Sequence, residues 1–195
     1  MRVEHASATD LAACLDHIRA APAELGRLEL IVRRPAVGAR EVLLEAELDT
    51  DCGLVGDTWN QRGSTRTADG SPHPDMQLNV MSARAAAAVA GPPGRWALAG
   101  DQLYIDLDIS QANLPPGTCL EIGSAVIEVT PQPHTGCVKF KRRFGGEALR
   151  FVNTGEGKAL RLRGLNARVV KPGTIRPGDM VCKLAANSPL CLPPT

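Results

Sequence analysis

One device recurs through the second half of the chain and restricts what it can fold into: short apolar–polar alternations closed off by proline–glycine turns. LYIDLDI (Leu103–Ile109), TCLEIG (Thr118–Gly123), AVIEVT (Ala125–Thr130), NARVV (Asn166–Val170) and MVCKL (Met180–Leu184) follow this pattern. A period of two puts alternate side chains on one face of a β-strand. LPPG (Leu114–Gly117) and IRPGD (Ile175–Asp179) carry the turn chemistry, proline presetting φ and glycine accepting left-handed backbone. Strands this short, joined this tightly, bury their apolar faces by curling on themselves rather than by forming a parallel sheet wound with long helices. The expected fold class is mainly β: a closed or nearly closed barrel with a few short peripheral helices.

The first half fits around that barrel. Ser7 and Asp10 have the spacing of a capping box, and Leu11, Leu15 and Ile18 follow at helical spacing, so a short amphipathic helix is expected over residues 10 to 20. LELIV (Leu28–Val32) and EVLLEAEL (Glu41–Leu48) read as two strands joined by the turn-rich linker RRPAVGA. GSTRTADGSPHP (Gly63–Pro74) has no periodicity and reads as a mobile surface loop. MQLNVM reads as a strand, after which Ser82 caps an alanine-rich helix that stops at Gly91.

Several functions lack support in the pattern. With 22 basic and 21 acidic residues the net charge is +1, so no global field draws the chain to nucleic acid or anionic membrane. No apolar run approaches the ~18 residues of a spanning helix, and the N-terminus lacks the plan of a signal peptide, so a cytoplasmic protein with no membrane partner is expected. GEGKAL (Gly155–Leu160) has Val152 and Ala159 where a phosphate loop needs glycine and a hydroxyl, and reads as a plain glycine-rich turn. His134-x-x-Cys137 has chelating spacing, but without a second pair of ligands no zinc is expected.

Six cysteines are read as free thiols. Cys14, Cys119 and Cys182 lie in a predicted helix and strands and read as small buried hydrophobes. Cys137 differs. It stands in TPQPHTGCVKFKRRFGG, after two prolines and before Lys139, Lys141, Arg142 and Arg143. Neighbouring cations favour a thiolate, which is both nucleophile and soft metal ligand. The same cations and the backbone N–H groups near Gly136 suit a phosphate. A solvated basic face beside an incidental cysteine stands against these readings on local chemistry alone.

GLVGDTW (Gly53–Trp59), MQLNVMS (Met76–Ser82), GDQL (Gly100–Leu103), LPPGTCLEIGSAVIEVTPQPHTGCVKF (Leu114–Phe140) and RGLNARVVKPGTIRPGDMV (Arg163–Val181) together resemble, in the same order, the pattern of MOSC domains, the C-terminal domains of molybdenum cofactor sulfurases and their stand-alone relatives. The resemblance implies an N-terminal helical extension (1–27), a MOSC-type β-barrel domain (28–184) and a Pro-rich tail (185–195). It also implies that the chain binds molybdenum cofactor (molybdopterin) or handles its sulfur. The family's signature cysteine matches Cys137, as molybdenum ligand or as carrier of a persulfide, with His134 as proton donor or hydrogen-bond partner. Thr135, Gly136, Lys139, Lys141, Arg142, Arg143, Asp57 and Asn79 are the implied cofactor-binding residues, Asp57 by orienting a basic side chain. The activity this suggests is reduction of N-oxygenated small molecules; the alternative is a sulfur carrier or a cofactor-binding protein without turnover. A separate electron-donor or sulfur-donor protein is then needed, because the chain has no iron–sulfur cysteine motif and no pyridoxal phosphate site.

Overall fold

The computed structural model describes residues 5–191. Two short helices come first, α1 (Ala8–Ala13) and α2 (Leu15–Arg19). The capping box forms as spaced: Ser7 Oγ accepts from the Asp10 N–H at 3.2 Å, and the Asp10 carboxylate accepts from the Ser7 N–H at 3.1 Å. The expected single helix is broken at Cys14, whose N–H bonds to the Leu11 carbonyl three residues back, the tighter turn of a 3-10 helix.

The chain then runs through β1 (Leu25–Arg33), β2 (Glu41–Leu43), β3 (Ala46–Asp49), β4 (Gly53–Leu54), β5 (Leu78–Ser82), α3 (Ala83–Ala90), β6 (Leu103–Asp106), β7 (Cys119–Ile122) and β8 (Ala125–Val129). It ends through α4 (Val138–Asn153), α5 (Gly155–Ala159), β9 (Leu165–Lys171), β10 (Gly173–Ile175) and β11 (Met180–Lys183). Seven strands close a ring in the order β1-β11-β7-β8-β9-β5-β6 and back to β1, with β2 added on β1. Neighbours are antiparallel except β5 and β6, which run parallel. A parallel pair needs a crossover, supplied here by α3 and a 3-10 run at Pro93–Ala99. A smaller sheet, β10-β3-β4, stands beside the barrel.

The barrel interior is filled by Leu28, Ile105, Leu120, Ile127, Ala167 and Val181, among others. A second apolar layer lies outside it, where α1, α3 and α4 contribute Leu11, Ala85, Phe140 and Phe144, joined by Leu162 beyond the helices, to a cluster with Met81 and Tyr104. In β5 and β6 both faces are therefore buried, Val80 and Ile105 inward, Met81 and Tyr104 outward under the helices.

Three expectations need correction, and one unassigned stretch gains an element. EVLLEAEL is not one strand: Leu43 and Leu44 are adjacent and cannot both face inward, Leu44 is exposed, and the chain turns there from β2 into β3 of the other sheet. GEGKAL is helical: Thr154 Oγ1 accepts from the Gly157 N–H at 2.9 Å and caps α5. The basic run after Cys137, given no element in the sequence, opens the helical stretch α4, which breaks at Gly145. Cys14 and Cys182 are partly exposed, and of the three cysteines read as core only Cys119 is buried. No helix among the described residues is long and apolar enough to cross a membrane. Of the Pro-rich tail, residues 192–195 lie outside the described residues; Pro189–Cys191 form a 3-10 turn.

Candidate functional site

β8 delivers the chain to Thr130, whose N–H bonds to the Asn166 carbonyl and whose hydroxyl donates to the Asp75 carbonyl at 2.6 Å. After Pro131 and Pro133 the segment is fastened again at Gly136. Its N–H donates to Asn153 Oδ1 at 3.0 Å and its carbonyl accepts from Asn153 Nδ2 at 3.2 Å. A Cβ at Gly136 would stand 2.8 Å from Leu149 and 2.9 Å from Val152, so only glycine lets the segment lie this close to α4. Cys137 follows in extended backbone at the head of α4 and is the one exposed cysteine among those described. Phe140 and Phe144 anchor that end of the helix in the outer core, their rings 4.8 Å apart, which turns the intervening polar side chains outward.

Lys139, Arg142 and Arg143 line a cleft of about 390 Å³ together with Arg34, Arg40 and Arg62. No acidic side chain among the described residues lines it. Beneath it the buried Asp57 accepts from Arg34 Nε at 2.8 Å and Nη2 at 2.9 Å, and from Arg62 at 3.1 Å. That bidentate pair is the strong geometry for a guanidinium and a carboxylate. Asp57 thus orients two arginines from below. Burial pushes the Arg40 guanidinium below its usual range, and the charges of Arg143 and Arg34 push in the same direction. Arg62 is lowered likewise, by burial and then by Arg34. The Arg40 Nε is buried with no hydrogen-bond partner. A cleft with this charge excess is built to hold an anion.

From Arg34 a polar network runs inward. Its Nη1 donates to Asn79 Oδ1 at 3.0 Å and to the Gly100 carbonyl at 3.1 Å, and Asn79 Nδ2 donates to Asn166 at 2.6 Å. Next to Gly100, the fully buried Asp101 accepts from Arg163 Nη1 at 2.7 and 2.8 Å and lies 2.8 Å from His134 Nε2. Burial alone would raise the Asp101 carboxyl; Arg163 first, and then His134, hold it down at about 2. Burial and the charge of Arg163 lower His134, against the pull of Asp101. The ring is therefore neutral at pH 7, and since a carboxylate only accepts, the single ring proton sits on Nε2, facing Asp101. Nδ1 is left as an acceptor. Of the two roles expected for His134, this geometry fits the hydrogen-bond partner.

The ten expected site residues are thus distributed over several places. Lys139, Arg142 and Arg143 share the cleft, Asp57 and Asn79 sit behind it, and Gly136 is held through its backbone. Lys141 is exposed on α4 outside the cleft wall, and Thr135 and His134 line a separate cavity that shares no residue with the cleft. Arg34, Arg40 and Arg62 went unnoticed in the sequence, as did the Asp101–Arg163 pair. RRPAVGAR carried a signal in its three arginines, but it reads as a linker until the fold brings it to α4.

A family model for the MOSC domain matches residues 73–182, more than half of the chain. The chain belongs to the MOSC domain family. Among solved structures, this MOSC protein is similar to the YuaD protein from Bacillus subtilis, with 14% identity and a TM-score of 0.62 over 80% of this chain and 94% of that one. It is also similar to YiiM from Escherichia coli, with 21% identity and a TM-score of 0.53 over 82% and 70% of the two chains. At these identities the likeness concerns the fold. A comparison with curated proteins gives no match.

Proposed function

We propose that this MOSC-domain protein binds a molybdenum cofactor, with the Cys137 sulfur as metal ligand and the cofactor's phosphate in the arginine cleft. The observation that carries the reading is the cleft itself. Six cations line it with a single carboxylate beneath, one arginine Nε is buried without a partner, and the helix supplying three of the cations begins at the exposed Cys137. A phosphate in the cleft would satisfy that Nε and offset the mutual repulsion of Arg34, Arg40 and Arg143. The exposed thiol is the soft donor that molybdenum prefers.

When bound, the cofactor supplies two-electron chemistry suited to cleaving an N–O bond. An N-hydroxylated amine plus two electrons and two protons gives the amine and water, and the electrons come from a separate electron-donor protein. The chain's own residues hold and orient. Asp57 fixes Arg34 and Arg62 at the back of the cleft, Asn153 fixes Gly136 and with it the backbone before Cys137, and Asp101 fixes the His134 ring.

The test is to purify the chain from a host that makes the cofactor and to measure metal and released pterin per chain. Near-stoichiometric molybdenum and pterin are expected, with molybdenum lost in Cys137→Ser and pterin content reduced at least tenfold in Arg40→Gln combined with Arg142→Gln. A cyanide-labile sulfur on Cys137 with no metal or pterin would replace this reading by that of a sulfur carrier, which the exposure of Cys137 also suits. Cys137→Ser with unchanged metal and sulfur content would overturn both.

A further inference from the structure

The segment Thr130–Thr135 lines a second cavity of about 330 Å³, which shares no lining residue with the arginine cleft. That volume lies at the lower end of the ~300–1,000 Å³ range of ligand pockets. Its walls are of three kinds, of which Gln111, Thr130, Gln132, His134 and Thr135 are polar and uncharged. Pro131, Pro133, Val152 and Leu165 are apolar, while Arg161, Arg163 and Lys158 bring positive charge, and no acidic residue among those described lines the space.

The three cations are not equivalent. Arg163 is neutralised by Asp101. Lys158 is exposed. Arg161 is half-buried, its Nη1 donating to the carbonyls of Ile109 and Leu114, and no carboxylate pairs with it among the described residues. A guanidinium taken partly out of water without a counter-ion is costly to keep. Arg161 is also the one described non-glycine residue with positive φ, at 50°, a conformation that costs on the order of 1–3 kcal/mol and that folds keep where it positions something. The Nε of Arg163 adds a buried donor without a partner in the same wall, on a side chain only 8% exposed.

We infer that this cavity binds a small organic anion, a carboxylate held by Arg161 and Lys158 with an apolar body lying against Pro131, Pro133 and Leu165. Two uncompensated charges, with Pro131, Pro133, Val152 and Leu165 as an apolar part of the wall, fit a monocarboxylate of modest size. The polyanion belongs to the other cleft. The site needs neither metal nor cofactor, so it stands or falls separately from the function proposed above.

Benzoate, and benzamide as its uncharged counterpart, are the probes, titrated into the isotope-labelled full chain while amide NMR shifts are followed. A ligand of this size is expected to bind with a dissociation constant of about 1 mM. Saturable shifts are expected at Thr135, Gly157 and Gly164, with benzamide at least tenfold weaker. Lys158→Gln is expected to weaken benzoate about tenfold, as is Arg161→Asn, asparagine being tolerant of left-handed backbone, while Arg142→Gln leaves it unchanged. Because Arg161 also holds two carbonyls, Lys158→Gln decides the matter if Arg161→Asn does not fold. Equal binding of benzamide, an absence of saturable shifts at about 10 mM benzoate, or shifts confined to Lys139–Arg143 and removed by Arg142→Gln would overturn the inference.

Discussion

Asp101 has a fully buried side chain yet keeps its charge, because Arg163 donates to both its oxygens and the neutral His134 ring to one. Its carboxyl is held at about 2, below the ~4 of an unfolded aspartate. A carboxylate lowered in the fold adds stability that is complete above the unfolded value and lost as pH falls through the folded one. His134, also lowered, works in the same direction: the unfolded chain takes up its proton first as pH drops below ~6.5. Asp101→Asn should cost roughly 3–5 kcal/mol at pH 7, since Arg163 is left buried beside a neutral group. The gap between wild type and variant should then narrow by about 1 kcal/mol between pH 5 and pH 3, as Asp101 takes up its proton in the unfolded wild type. Urea midpoints at the two pH values measure this, and a gap that stays constant would mean that Asp101 is not held down in the fold. None of this is readable along the chain, because Asp101 and Arg163 lie 62 positions apart and each looks like an ordinary turn residue. Cys137 stood out in the sequence by its cationic neighbours and is exposed at the head of α4, and Asp57, named from the resemblance as orienting a basic side chain, pairs with Arg34 and Arg62.

At the scale of elements, the strands of the second half mostly declared themselves and the longest helix did not. A two-residue period survives in a five-residue strand, so β7, β8 and β11 fall where the alternation predicts. In α4 the apolar face is Phe140, Phe144, Ala148 and Val152, a clean spacing of four, but its middle carries Gly145 with φ 91° and non-helical backbone. Basic residues before the glycines and a break within them hide the period. The element matters because it carries both Cys137 at its head and Asn153, its last residue, which clasps Gly136. Asn153→Ala removes both clasp bonds while leaving the helix a good former in place of a poor one. The expected loss is about 1–2 kcal/mol of local stability, read as faster hydrogen exchange at the Gly136 amide with the slowest barrel amides unaffected. Unchanged exchange at Gly136 would show that the segment is held by packing instead.

For the whole molecule, ring closure explains why the parts of the site meet. β1 pairs with β11 through Leu25–Arg27 and with β6 from Arg27 to Ile31, with a register shift between Leu28 and Leu30. A closed barrel has no free edge, which suits a chain of short strands. Arg34 follows the end of β1, Asn79 lies in β5 and Asp101 precedes β6, so three neighbouring strands of the ring hold the network behind the cleft. The seam is narrowest at Gly26, where an added Cβ would stand 2.2 Å from the Asp106 carbonyl oxygen and 3.0 Å from Leu107. Backbone on both sides of that contact is tied into strands and cannot yield as a long side chain would. Gly26→Ala is therefore expected to lower stability by about 1–3 kcal/mol, the usual cost of overpacking a buried contact. Gly155→Ala, where a Cβ meets nothing within 4 Å, should stay within about 0.5 kcal/mol of wild type. Paired urea midpoints test the seam: if the two variants unfold alike, β1 and β6 have slack at Gly26 and the closure is looser than this contact requires. If only Gly26→Ala unfolds early, the amides of Arg34 and Asn79 should lose exchange protection with β1, because they hang from the strands that the ring holds in register.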